Sequence, residues 1–129
     1  MILETVDYIL TAIGVWILIF LLHELMHIKS QGPKTEGTIR VHYPHSMTVG
    51  ADKVWNSRLF WMGGGILSSI ICFILFFLSQ DIQFQYAFFT MGWIQLAYGL
   101  YEGWLGVKYR YWIYGGVGIL CTLYWFMVI

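Results

Sequence analysis

In the stretch LLHELMHIK two histidines stand four residues apart, with a glutamate directly after the first: His23, Glu24 and His27. On a helix that spacing puts both imidazoles on one face, one turn apart. Two such histidines can share a zinc ion, and the glutamate between them is then placed to take a proton from an attacking water. The bland alternative is a pair of histidines reaching from a helix end toward water. Their setting weighs against it, because they close a long apolar run. An ionisable side chain within a membrane span costs about 2.5–3.5 kcal/mol on insertion scales, so such residues mark function by default.

Catalytic zinc usually takes three protein ligands and a water, which leaves one ligand to find. Glu102 is the leading candidate, as the only other carboxylate inside an apolar run and away from the outer side, where Glu4, Asp7 and Asp81 belong. If each apolar run crosses a membrane in turn, the first and third run in the same direction. His27 then lies near the inner end of one and Glu102 about one turn from the inner end of the other. Asp81 fails this test, since it belongs at the outer end, about 30 Å away. Gln95 and Tyr98 lie on the same helical stripe as Glu102, and either could donate to a tetrahedral oxyanion or bind a peptide carbonyl. Ordinary interhelical hydrogen bonding would account equally well for Gln95. The rival reading for Glu102 is an ion pair with Lys108 or Arg110. His42 and His45 are rival metal ligands, although loop histidines are more often simply solvated.

The elements that must hold these residues follow from composition. Of 129 residues 59% are hydrophobic and only 11% charged, with a mean hydropathy of +0.68. So few charges could not cover a soluble domain, and apolar runs of about 20 residues have bilayer length. We expect an all-α polytopic membrane protein, a single membrane domain with helices at 6–28, 59–78, 84–105 and 111–129. No cleavable secretory leader is expected, because the first apolar run ends in HELMH and not in a small-residue cleavage site. All seven Lys and Arg lie in 29–58 or in the turn at 106–110. By the positive-inside rule those segments are cytoplasmic and both termini lie outside. Zero net charge gives no basic patch for nucleic acid, and none is expected as a partner.

Within 29–58, Gly32 suits a helix C-terminal cap and Pro33 cannot continue the helix. TIRVHYPHSMTV then alternates around a turn-prone YPHS, which predicts a small cytoplasmic β-hairpin between the first two helices. Trp55 and Trp61 fall where an interfacial aromatic belt would place them. In the second run Gly64 and Ser68, and Gly65 and Ser69, repeat small residues at four-residue spacing, which lets helices approach closely. Cys72 and Cys121 read as small buried hydrophobes.

HELMH near the inner end of the first helix, a cytoplasmic β segment, a glycine-rich second helix and an acidic residue before Gly103 in the third together resemble the site-2 protease-like intramembrane zinc metalloproteases. The resemblance covers about residues 15 to 105. GGGILS stands where that family shows Ala-Gly-Pro with a nearby Asn, with Ser68 near the Asn position. Glu102-Gly103 stands in place of Asp-Gly, and the third helix has no proline. The resemblance implies a zinc ion on His23, His27 and Glu102, with Glu24 as general base. It also implies hydrolysis of a peptide bond in or beside the membrane segment of a protein or peptide substrate. An edge of the hairpin, at Val41, His42 and Tyr43, could take up such a substrate as an added strand. The alternative is a non-proteolytic metal-binding accessory subunit of a larger membrane complex. Glu24 separates the two, since a purely structural metal site has no use for it. A transporter or channel fits less well, because one acidic stripe and two helix-end histidines make no path across a bilayer.

Overall fold

The computed structural model describes residues 2–32, 36–42, 46–51, 57–105 and 110–128. Pro33, Tyr43, His45, Trp55 and Lys108 lie outside them. Four helices and one pair of strands follow in order: α1 (Ile2–Lys29), β1 (Gly37–His42), β2 (Ser46–Ala51), α2 (Ser57–Leu78), α3 (Ile82–Leu105) and α4 (Arg110–Val128). α1 begins four residues before the expected start. Nothing in Ile2 and Leu3 breaks a helix, and Glu4 complements the positive end of the helix dipole. At its other end Gly32 takes φ +117°, and its N–H donates to the Lys29 carbonyl at 3.1 Å. That left-handed backbone is the helix stop glycine supplies without a Cβ penalty. β1 and β2 pair antiparallel, with Gly37 opposite Ala51 and His42 opposite Ser46.

α1 (Ile2–Lys29), Arg58–Leu78 of α2 and Tyr111–Val128 of α4 are long and apolar enough to cross a membrane. α3 is about 36 Å long, but Gln83, Gln85, Thr90, Gln95 and Glu102 hold its hydropathy below that of the other three. The sequence predicts four spans, and the structure shows three candidates. The difference has a physical origin, because α3 is the interior helix. It packs along α2, against α1 and against α4, so its side chains meet protein on several sides.

The distribution of polarity is the reverse of that in a soluble bundle. His23, Glu24, His27, Ser68, Ser69, Gln95 and Glu102 are buried, whereas Phe77, Trp112 and Met127 are 81%, 80% and 79% exposed. A soluble monomer would not leave such broad apolar surface in water. The middle of the bundle is an apolar layer of Val15, Ile19, Cys72, Ala87, Met91 and Ile94. Both cysteines are free and buried.

Successive helical residues point about 100° apart, and three consecutive glycines of α2 use this to meet different neighbours. A Cβ on Gly63 would strike the Ser30 side chain. One on Gly64 would meet the His27 ring and the His23 carbonyl, and one on Gly65 would strike Gly99 and the Gln95 carbonyl. The expected close approach through Gly64 and Gly65 is therefore made to both α1 and α3, with Ser68 and Ser69 buried one turn further on. At the same end the Arg58 guanidinium lies 4.7 Å over the Trp104 ring, joining the first turn of α2 to the last turn of α3. α2 is thus a thin spacer that brings α1 and α3 together.

Candidate metal centre

Val15, Ile19, His23 and His27 recur every four residues of α1 and form its buried stripe. The two histidines are each 1% exposed. His27 Nδ1–H donates to the Phe60 backbone carbonyl at 2.6 Å. A carbonyl only accepts, so the ring proton sits on Nδ1. His23 Nδ1–H donates in the same way to Oε1 of Gln95 at 2.5 Å. In their neutral forms the two rings turn bare Nε2 lone pairs toward each other, with the two nitrogens 3.1 Å apart.

Glu102 closes the triangle. Its Oε2 is 3.1 Å from His23 Nε2 and its Oε1 is 3.4 Å from His27 Nε2. In that form three lone-pair donors converge, an arrangement that a cation stabilises. Ligands about 2.1 Å from a tetrahedral zinc lie roughly 3.4 Å from one another. The three observed separations are close to that value, so the donor set fits zinc in type and in spacing. The Glu24 carboxylate is within 4.8 Å of the ligand atoms of both histidines. It can reach a molecule bound at the centre.

The surroundings are largely aromatic. Phe60 and Trp61 set their rings 5.5 and 5.6 Å from that of His27. Tyr98 lies 5.6 Å from His23 and stacks on Tyr114 at 4.9 Å. Such walls lower the local dielectric and strengthen every charge interaction within.

The structure brings His23, Glu24, His27, Gln95, Tyr98 and Glu102 to one place. Glu102 lies with the two histidines, as the metal-ligand reading expects; Lys108 and the Arg110 side chain, its rival partners, lie outside the described residues. Gln95 is fully buried with its oxygen on His23, and this makes it a support for that ring. Val41 and His42 are described only as positions in β1, while Tyr43 and His45 fall outside the described residues. Two participants escape a reading by residue type. Phe60 acts through its backbone carbonyl, which no side chain signals. Gly64 acts by leaving room for His27, and its only sequence trace is the small-residue pattern. The chain matches no family model, no curated protein and no solved structure, so the centre rests on its own geometry.

Proposed function

We propose that this chain is an integral membrane zinc metallopeptidase that hydrolyses peptide bonds in or beside the membrane segments of its substrates. The observation that carries the reading is the convergence of His23 Nε2, His27 Nε2 and the Glu102 carboxylate, with Glu24 in reach. When bound there, zinc supplies Lewis acidity that polarises a carbonyl and lowers the pKa of water toward about 7. The protein's own groups divide the remaining work. His23, His27 and Glu102 hold the ion. Glu24 takes the proton of the attacking water on its carboxylate and returns one to the leaving amine. Tyr98, whose ring borders His23, is the donor we assign to the developing oxyanion.

In this reading α3 is the fourth span, tolerated because Gln95, Tyr98 and Glu102 face protein and not lipid. The segment 29–58 and the turn at 106–110 lie in the cytoplasm, and both termini lie outside. Among the described residues β1 and β2 pair only with each other, which leaves each strand's outer edge for an extended substrate to add to; on β1 that edge includes Val41 and His42.

The depth at which both histidines are buried favours one other reading, a non-proteolytic accessory subunit with a structural metal. The two are separated by purifying the protein in nanodiscs, measuring its zinc content and assaying cleavage of a panel of transmembrane substrates. We expect Glu24→Gln to keep zinc and lose cleavage by about 100- to 10,000-fold. Cleavage that survives Glu24→Gln rejects the peptidase mechanism. A zinc-loaded wild type that cuts nothing in the panel supports the accessory reading.

A further inference from the structure

The two histidines are supported by different chemistry. His27 leans on a backbone carbonyl, which can only accept and so fixes the ring proton on Nδ1. His23 leans on a carboxamide, which carries an acceptor and a donor of nearly the same shape. Gln95 is 0% exposed, its Oε1 is 2.5 Å from His23 Nδ1, and its Nε2 has no hydrogen-bond partner among the described residues. Buried amide nitrogens are normally paired, and leaving one bare costs about 1–3 kcal/mol. No hydrogen bond at Nε2 therefore holds this amide in one orientation.

We infer that Gln95 is a reversible positioning residue for the metal centre, selecting the His23 tautomer by which end of its amide faces the ring. This rests on the metal reading above. With Oε1 toward the ring, His23 carries its proton on Nδ1 and offers Nε2 to a metal. With the amide turned, Nε2 of Gln95 donates to His23 Nδ1. The ring proton then sits on His23 Nε2 and is donated to Glu102 Oε2, 3.1 Å away. The ring keeps one proton throughout, which moves from Nδ1 to Nε2. The His23 ring proton thereby has an acceptor in both states, Gln95 with the ion and Glu102 without it, a property that neither an acceptor-only nor an apolar residue at position 95 would give.

The test combines nitrogen NMR of ¹⁵N-histidine-labelled protein in micelles with zinc competition titrations of wild type, Gln95→Glu and Gln95→Met. In the wild type we expect the His23 proton on Nε2 without zinc and on Nδ1 with it, while His27 keeps Nδ1–H in both. Gln95→Met should weaken zinc binding by about 10- to 100-fold, and Gln95→Glu should bind at least as tightly as wild type. The same His23 tautomer with and without zinc overturns the inference, as does a Gln95→Met protein within about threefold of wild type. If Gln95→Met does not fold, the wild-type tautomers decide alone. A wild type that takes up no zinc overturns the metal reading as well, whereas zinc uptake with an unchanged tautomer overturns this inference only.

Discussion

Gly64→Ala tests the centre through a residue that has no chemistry of its own. The added Cβ would lie 2.7 Å from Cε1 and Nε2 of His27 and 2.8 Å from the His23 carbonyl oxygen. Ordinary contact starts at 3.4 Å, so the ring or the helix must yield by about 0.7 Å. The ring has little freedom to do so. Its Nδ1 is tied at 2.6 Å to Phe60, one turn before Gly64 on the same helix. Moving the ring therefore strains that bond, and moving α2 carries the Phe60 carbonyl away with it. Either response displaces Nε2 from the triangle it forms with His23 and Glu102. Overpacking of this kind costs about 1–3 kcal/mol, roughly 5- to 150-fold in an equilibrium constant. A displacement near 1 Å costs about 100-fold in rate. We expect zinc affinity, read by competition with a chromophoric chelator, to fall by about 10- to 100-fold. Gly115→Ala is the control, because no atom of the described residues lies within 4 Å of the added Cβ. Wild-type zinc affinity in Gly64→Ala would refute the geometry. An equal loss in Gly115→Ala would show that any added methyl disturbs the bundle.

Other expectations concern the same three helices. Glu102→Ala should lower zinc affinity by at least about 100-fold, more than loss of a supporting residue, in the same chelator titration; unchanged binding would pass the third-ligand role to another group. Gly65→Ala drives a methyl into Gly99 and the Gln95 carbonyl, and chemical denaturation in micelles should show a loss of about 1–3 kcal/mol. Wild-type stability would mean that α2 and α3 are not in backbone contact. Zinc retention should fall as the buffer is taken from about pH 8 to about pH 5, since imidazole and carboxylate must be deprotonated to bind metal and protons compete for both. Metal analysis after dialysis reads this directly, and retention that rises toward acid would contradict an imidazole–carboxylate site.

Much of the centre is legible in the residues because helical geometry is so regular. His23 and His27 share a face at any four-residue spacing, and Glu102 matches them in depth once the apolar runs are counted. What pattern cannot supply is which atom meets which. Gln95 and Tyr98 lie on one stripe with Glu102, yet only the packing shows that Gln95 turns its oxygen to a ring nitrogen. The Phe60 carbonyl has no side-chain signature, so residue types alone conceal it. The glycines are legible in part. Their four-residue spacing signals close approach of helices, while only the packing shows that GGG meets α1 and α3 by turning about the helix axis. α3 shows a failure of pattern. Its polar residues lower its hydropathy, yet two of them, Gln95 and Glu102, are buried within the bundle.

The spacer role of α2 bears on how such a protein can drift over evolutionary time. Lipid-facing residues are interchangeable among apolar types, and loops can lengthen without moving the donors. The glycine triplet has no such latitude, since each member serves a separate neighbour and no substitution leaves all of them undisturbed. Distant kin would then differ nearly everywhere yet share a sparse cipher: H-E-x-x-H, a glycine run on the next helix, and a glutamine seven residues before a glutamate on the one after. Descent would be traced through those few letters even where the rest of the text had been rewritten.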